Sequence, residues 1–489
     1  MATEDQGVAT RKTDYTALGK ALYYLISFIE GYDQQVLSMC MRAFELTLGF
    51  SQSQLSTLAT VSTMSRMGCC LIWGLLADLY KSKHVLGAGL LVMGVASIFL
   101  SSASHYKVIV FLRFLHGFGF ACVYPVQQKI VADSTSSDDE KKPQGSTGAA
   151  GPTGLVGQTG SAESKAASKI FTGLQALNCI GRLLCAVITT LIARKVLLGY
   201  YGWRTSYVVL GYLWIFFAIA IVFGMNKNGD DVPKSQQFQK LISDAFSEAF
   251  TKPTTWLLIL TIFIAEAPMC AFNYMTIYLQ YLGVSDTMAG VAIAVTLIGG
   301  AAGSVAGGEC IKKIVALSED YGELASGIAV MVVRLLVCLL FFLGKAPSGK
   351  LLWYHYVELA TLGGTLVTLG GVDRAMLKKS IEDKHQATAS AMVRTISGIS
   401  SSIILFQVCA YLTEKVFGYV PSRESFETMA TEIKEKNAEA LRKSMMYIIL
   451  AGTLLNVLCY AALFATYPKT RQEVEKKNKT SSTLEQKSR

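Results

Sequence analysis

The chain has 489 residues, of which 52% are hydrophobic and only 16% are charged. Soluble domains carry about 25% charged residues, so the composition excludes an ordinary soluble protein and indicates a chain that is solvated mainly by lipid. The net charge of +10 does not indicate nucleic-acid binding, because the basic residues cluster in connections between apolar stretches, where membrane topology accounts for them.

Twelve apolar stretches are long enough to cross a bilayer as helices, which takes about 20 residues each. Six precede the polar stretch at 226–252 and six follow it. We therefore predict an all-α membrane protein whose twelve transmembrane helices form two six-helix bundles. The stretches lie near 18–41, 54–77, 84–103, 108–131, 169–193, 204–225, 254–281, 287–311, 324–344, 351–373, 387–412 and 444–466.

The remaining segments are polar and define the predicted domain boundaries. Residues 1–17 contain no apolar core that would indicate a removable signal peptide. The insertion at 134–165 is rich in Ser, Gly and Thr, and we predict that it is disordered because it cannot bury enough apolar surface to fold. The full division is a tail at 1–17, a first bundle at 18–225, a linker at 226–252, a second bundle at 253–466 and a tail at 467–489.

Basic residues in the connections predict the orientation of the chain. Lys81 and Lys83 follow the second helix, Lys312 and Lys313 follow the eighth, and Lys384 follows the tenth. Because cytoplasmic connections are enriched in Lys and Arg, we expect these connections and both termini to be cytoplasmic. The sequence does not distinguish the plasma membrane from an internal membrane.

The first helix carries two carboxylates, Glu30 and Asp33, within the stretch FIEGYDQQVL. Residues three apart share one face of a helix, and each carboxylate costs roughly 2.5 to 3.5 kcal/mol if it faces lipid in its charged form. We therefore expect both to face the bundle interior, and our hypothesis is that they carry protons as the protein alternates between two states. The alternative is a permanent ion pair with Arg66, Arg113 or Arg182 that only fixes helix packing.

Two further polar stripes are predicted to line a central cavity. Arg182 on the fifth helix would suit an anionic group such as a carboxylate or a phosphate, and Glu266 begins a stripe on the seventh helix. The alternative for each residue is a hydrogen bond between helices or simple packing. The predicted substrate-binding residues are Gln175, Asn178, Arg182, Glu266, Asn273, Tyr274 and Tyr278.

No motif in the sequence indicates catalysis, a metal or a cofactor. The eleven cysteines lack paired spacing and accompanying histidines, and neither the HExxH motif nor the phosphate-binding GxxxxGK[ST] loop occurs. We therefore predict that the protein is not an enzyme and needs no cofactor.

The expected partners are a small solute, membrane lipids and protons, with the chain acting as a monomer. A receptor that binds the solute without moving it stays open as an alternative.

Three motifs resemble the major facilitator superfamily of transporters. Residues 74–83, GLLADLYKSK, resemble the loop between its second and third helices, although Lys81 replaces the second glycine of that loop. Residues 113–125, RFLHGFGFACVYP, resemble its helix-four pattern R-x-x-Q-G-x-G with His116 in place of glutamine, and Gly202-Trp203-Arg204 completes the set. The resemblance implies two bundles that rock around a central site. It also implies gating roles for Gly74, Asp78, Lys83, Arg113 and Gly117.

A finer resemblance begins at Tyr32-Asp33 in the first helix, a pair that spinster lipid transporters share, although Gln34 replaces their next residue, an arginine. The chain is also similar to a neighbouring branch that includes protist pantothenate transporters. Our main hypothesis is a proton-coupled symporter of a small organic anion, and the resemblance adds pantothenate as an example. The alternative with the same fold is a lipid or lysophospholipid carrier.

Overall fold

Helices dominate the fold because lipid offers no hydrogen-bonding partners, so each backbone N–H and C=O must be satisfied within its own segment. The computed structural model describes residues 17–126, 162–197, 199–224, 246–247, 250–318, 320–381 and 386–487. Within these ranges, β structure is confined to a hairpin of β1 (Val196–Leu197) and the antiparallel β2 (Tyr200–Tyr201).

The helices of the described ranges fall into two halves of the chain. The first half contains α1 (Ala17–Leu48), α2 (Gln52–Gly68), α3 (Cys70–Leu79), α4 (Ser82–Ser102), α5 (Tyr106–Phe120), α6 (Ala162–Ile192) and α7 (Gly202–Gly224). The second half contains α8 (Pro253–Phe272), α9 (Met275–Tyr281), α10 (Asp286–Leu317), α11 (Gly322–Leu343), α12 (Trp353–Lys379), α13 (Gln386–Tyr411) and α14 (Thr431–Lys487). A single π-helical turn, Leu412–Val416, extends α13.

Each of the twelve predicted spans is occupied by one helix or by two consecutive helices. In the described ranges, eight spans are long and apolar enough to cross a membrane, which confirms the all-α membrane fold. The other four spans correspond to α1, α2 with α3, α6 and α12. The apolar part of α6, Ala176–Ile192, and the separate helices α2 and α3 are shorter than a full span. The count of twelve crossings therefore stays a prediction.

Two of the predicted spans are interrupted by short breaks. The chain passes from α2 to α3 at Cys69, and from α8 to α9 at Asn273 and Tyr274. Pro268 precedes the second break and has no backbone N–H to donate to the helix.

The predicted boundary segments lie partly outside the described residues. Residues 134–161 of the predicted insertion lie outside them, and its last four residues form the first turn of α6. Residues 1–16 and most of the linker at 226–252 also lie outside. Within the tail at 467–489, α14 continues to Lys487. The domain division therefore stays a prediction.

Glycines set the distance between helices within the first bundle. An added Cβ atom on Gly31 of α1 would collide with the backbone of Asn178 on α6, and one on Gly181 would collide with the backbone of Phe28. Small residues let helix backbones approach closely in a membrane. The α1–α6 pair, which carries the predicted polar residues, is therefore held by backbone contact.

The glycine-rich stretch at 299–308 has the same role in the second bundle. Gly303 of α10 lies against Gly364 of α12, and an added Cβ atom on Gly363 would collide with the carbonyl group of Thr296. The backbones of α10 and α12 therefore approach closely.

Replacing Gly363 by Ala should destabilise the protein even though alanine favours a helix by about 1 kcal/mol over glycine. The added methyl group would press on the carbonyl group of Thr296, and overpacking of this kind costs about 1–3 kcal/mol. We expect a lower melting temperature for the detergent-purified variant. The matched control is Gly370→Ala on the same helix, where an added Cβ atom meets nothing within 4 Å. Equal melting temperatures for the two variants would contradict the close crossing.

Candidate functional site

A cavity of about 240 Å³ lies between the two halves of the chain. Helices α1, α2, α5 and α6 of the first half and α8 and α13 of the second half line it. Its charged lining residues are Asp33, Arg66, Arg113, Arg182 and Glu266. Three cations and two carboxylates therefore face one shared space between the halves.

Asp33 is a buried carboxylate of the cavity wall. Its Oδ2 accepts hydrogen bonds from Nε2 of His116 at 2.9 Å and from Nε1 of Trp214 at 2.6 Å, and the residue is 3% exposed. The second oxygen, Oδ1, has no hydrogen-bond partner among the described residues. Asp33 thus joins α1 to α5 and α7 through one oxygen and keeps the other available.

Arg113 finds hydroxyl groups rather than a carboxylate. Its Nε and Nη2 donate to Oγ of Ser62 at 2.9 and 2.5 Å, and its Nη1 donates to the hydroxyl group of Tyr207 at 3.4 Å. The carboxylate partner considered for Arg113 in the sequence is therefore not found among the described residues, where its donors go to Ser62 and Tyr207.

Arg182 lines the cavity as predicted, within a chain of polar side chains. Its Nε donates to Oδ1 of Asn178 at 3.1 Å, and its Nη2 donates to Oε1 of Gln34. Gln34 in turn donates to Oε1 of Glu30 at 3.1 Å. Gln34 therefore connects Arg182 with Glu30, and Asn178 orients the guanidinium group. The side chain of Gln175 lies outside the described part of the chain.

The cavity contains a cation that the sequence did not single out as a binding residue. Arg66 of α2 lines the cavity, and its guanidinium carbon lies 5.4 Å from the centre of the Phe120 ring. We considered Arg66 only as an ion-pair partner for the carboxylates of the first helix. Its position three turns inside an apolar span was the signal that could have identified it.

The predicted stripe of the second half lies only partly on the cavity wall. Glu266 and Asn273 line the cavity. Tyr274 and Tyr278 are not among its lining residues; both are buried, and Tyr274 is hydrogen-bonded to Ser56 at 2.8 Å. The hydroxyl group of Tyr274 therefore contacts α2 of the first half.

The residues assigned to gating by resemblance lie in different surroundings. Gly117 of α5 packs closely on α2, because an added Cβ atom would collide with the side chain of Ser65. Gly74 has only an ordinary contact, with a would-be Cβ atom 3.9 Å from Pro125, so close approach is absent there. Lys83 lies in the first turn of α4. The side chain of Asp78 lies outside the described part of the structure.

A second charged group, beyond the predicted span 18–41, joins the two halves. Arg42 and Glu45 of α1 are 1% and 0% exposed and form an ion pair at 3.2 Å. Glu45 accepts hydrogen bonds from Tyr281 at 3.1 Å, Tyr419 at 2.6 Å and the backbone N–H of Ser422 at 3.0 Å. We call these five residues the closed-end cluster. Two opposite charges three residues apart were its sequence signal, and we missed it.

Neighbouring contacts strengthen this junction. Arg42 donates to the carbonyl oxygens of Ser422 at 2.9 Å and Glu424 at 2.7 Å. Arg194, just after α6, forms a bidentate pair with Asp286 at the start of α10. Among the described residues, the hydrogen bonds between the two halves lie between this end of the molecule and the level of the Thr60–Ser402 contact, which measures 2.9 Å. The two halves are therefore fastened together at one end of the molecule.

The family model of the Major Facilitator Superfamily matches residues 23–405 of the chain. An uncharacterized transporter of Buchnera aphidicola subsp. Schizaphis graminum is 21% identical over 243 residues. The chain spans about half the length of this curated relative, and the match covers half of the chain.

Solved structures share the fold at low sequence identity. A bacterial homolog to the human lysosomal transporter Spinster matches with a TM-score of 0.72 at 14% identity, over 93% of this chain and 97% of that one. The nucleoside transporter NupG matches with a TM-score of 0.64 at 12% identity, over 92% and 99%. A D-xylose-proton symporter matches with a TM-score of 0.57 at 13% identity, over 90% and 96%. At these identities the likeness shows the fold alone.

Replacing Tyr419 by Phe should loosen the closed end. The change removes a hydrogen bond to the buried carboxylate of Glu45, and hydrogen bonds to charged groups contribute about 1.5–3 kcal/mol. We expect faster hydrogen–deuterium exchange of backbone amides in residues 417–430 and at the end of α1. Tyr411→Phe is the control, because Tyr411 is 63% exposed and its loss of a hydroxyl group should leave exchange unchanged. Identical exchange in both variants would argue against the cluster as a fastening.

Proposed function

Because the chain belongs to the Major Facilitator Superfamily, we propose that it is a secondary transporter that moves a small organic anion together with protons by alternating access. The observation that carries this proposal is the cavity between the two halves, which is lined by Arg66, Arg113 and Arg182. A transporter of this family has no need of catalytic chemistry, and the proposed partners are a solute, protons and the surrounding lipid.

The cavity wall supports an anionic substrate. Guanidinium groups bind carboxylates and phosphates through two parallel hydrogen bonds, and the cavity wall holds more cations than carboxylates. Glu266 and Asn273 add hydrogen-bonding groups from the second half. A substrate that contacts both walls would hold the halves together in an occluded state. Pantothenate, an anion with hydroxyl and amide groups, is an example of this class.

Asp33 supports the proton coupling. A proton can bind Oδ1, which has no described partner, without displacing His116 or Trp214 from Oδ2. Loss of the negative charge weakens both bonds, because charge-assisted hydrogen bonds are roughly twice as strong as neutral ones. Protonation of Asp33 therefore changes how firmly α1 is tied to α5 and α7. Glu30, joined to Arg182 through Gln34, is the second proposed proton carrier.

The closed-end cluster supports alternating access. It fastens the halves at one end, and rocking of two bundles about a central site requires that such contacts break as the other end closes. If both termini are cytoplasmic, as we propose, the end where α1 finishes faces away from the cytoplasm and the structure is inward-facing. The proposed rocking bodies are the bundles at 18–225 and 253–466. In this scheme Gly74, Asp78 and Lys83 belong to the cytoplasmic gate.

Organic anions should raise the melting temperature of the purified protein. A ligand at a hundred times its dissociation constant adds about 2.7 kcal/mol of stability, so thermal unfolding with a panel of carboxylates, phosphate esters, neutral metabolites and lysolipids tests the substrate class. A shift with lysolipids alone would overturn the anion proposal and favour a lipid carrier. An anion that binds but never appears inside protein-containing vesicles would favour a receptor.

Asp33→Asn should uncouple transport from protons. In proteoliposomes we expect the variant to exchange the bound anion across the membrane, because exchange moves no net proton, but not to accumulate it when a pH gradient is applied. Radiolabelled uptake with and without the gradient measures both properties. Glu30→Gln tests the second carboxylate in the same way. Accumulation that still follows the pH gradient in the double variant would show that neither carboxylate couples the proton.

A further inference from the structure

The three arginines of the cavity differ in how their donors are used. Arg113 donates from three nitrogen atoms to Ser62 and Tyr207. Arg182 donates to Asn178 and Gln34. These two guanidinium groups are held in place by protein acceptors, so their orientation is fixed before any solute enters.

Arg66 differs from these two arginines in the partners of its guanidinium group. No hydrogen bond from its guanidinium group and no ion pair within 4.0 Å is found among the described residues. Its surroundings repel as well as attract it, since Arg182 and Arg113 act on it as like charges and Glu30 as the opposite charge. A guanidinium group inside a membrane bundle is costly unless it is satisfied, so this cation has unused capacity to bind.

The Phe120 ring positions that cation. The guanidinium carbon of Arg66 lies 5.4 Å from the ring centre, within the range of a cation–π interaction. Stacking on an aromatic face restricts the plane of the guanidinium group and leaves its N–H edges free for acceptors. Both Arg66 and Phe120 line the cavity, so those edges are accessible to a solute there.

We propose that Arg66 is the residue that binds the anionic group of the substrate, through two N–H groups to two oxygen atoms. The inference rests on the proposed function as an organic-anion transporter. It assigns recognition of the anionic group to Arg66 rather than to Arg182, the residue that the sequence favours. The chemistry recognised is a head group with two acceptor oxygens, either a carboxylate or a phosphate monoester. Arg113 and Arg182 contribute positive potential, while their own hydrogen bonds go to the protein.

The test compares acids with neutral molecules of matched shape. Two pairs serve as probes: pantothenate with panthenol, and glycerol 3-phosphate with glycerol. The two pairs also distinguish a carboxylate from a phosphate head group. Apparent dissociation constants come from thermal shifts of the full-length protein in detergent. The variant is Arg66→Lys, which keeps the charge but loses the planar pair of donors, and Arg182→Lys is the matched comparison.

We expect Arg66→Lys to weaken binding of the preferred acid by about tenfold or more, because it loses a bidentate charge-assisted contact. Binding of the neutral partner should not change, so the preference for acid over neutral molecule collapses. A merely structural role would weaken both members of a pair equally. Arg182→Lys should retain the preference for the acid.

Three results would overturn the inference. If Arg66→Lys keeps the wild-type preference for an acid, or if the preference is lost only in Arg182→Lys, Arg66 is not the anion ligand and the organic-anion function still stands. If the wild-type protein prefers no acid in either pair, the proposed function fails and the inference fails with it. Should Arg66→Lys not fold, Phe120→Leu replaces it, with a smaller loss of the same preference expected because only the orientation of Arg66 is disturbed.

Discussion

The structure depends on one constraint, which is that a charged group within a membrane bundle is costly unless a protein group or a bound solute inside that bundle satisfies it. Asp33 illustrates the constraint, because a single carboxylate oxygen collects donors from α5 and α7. Charges in lipid are costly, so the helices that carry them must pack where the partners are. The contacts of Asp33 therefore decide which face of α1 turns inward.

The contacts within each half differ in kind from the contacts between the halves. Inside each half, glycines such as Gly31 and Gly303 bring helix backbones into direct contact, and contacts of this kind do not separate without repacking. Between the halves, the principal fastening is a buried ion pair, Arg42 with Glu45, that is satisfied by side chains and backbone of the opposite half. A buried ion pair that loses its partners is strongly destabilised. In the transport cycle that we propose, this junction would open only if other partners replaced those of the ion pair.

Several features of the site could be predicted from the sequence because they depend on local patterns. The apolar stretches indicated the helices, and single polar residues within them indicated the cavity positions of Asp33, Arg182, Glu266 and Asn273. Tyr274 and Tyr278 lie outside the cavity wall, in contact with Ser56 and Phe342 of neighbouring helices, which a stripe along one helix does not specify. Arg66 was not distinguished from the other arginines, because its lack of a hydrogen-bond partner is a property of three-dimensional neighbours.

The sequence by itself determined the solvent of the chain, the places of its helices and the family to which its motifs are similar. The solvent and the helix positions follow from composition and from apolar stretches of about 20 residues, whereas the similarity to the family rests on short motifs. Only the tertiary structure decided which charges meet. His116 and Trp214 are 83 and 181 residues away from Asp33 along the chain, and Tyr419 is 374 residues away from Glu45. Such pairings depend on how the helices cross and where they break, which no local pattern of residue types specifies.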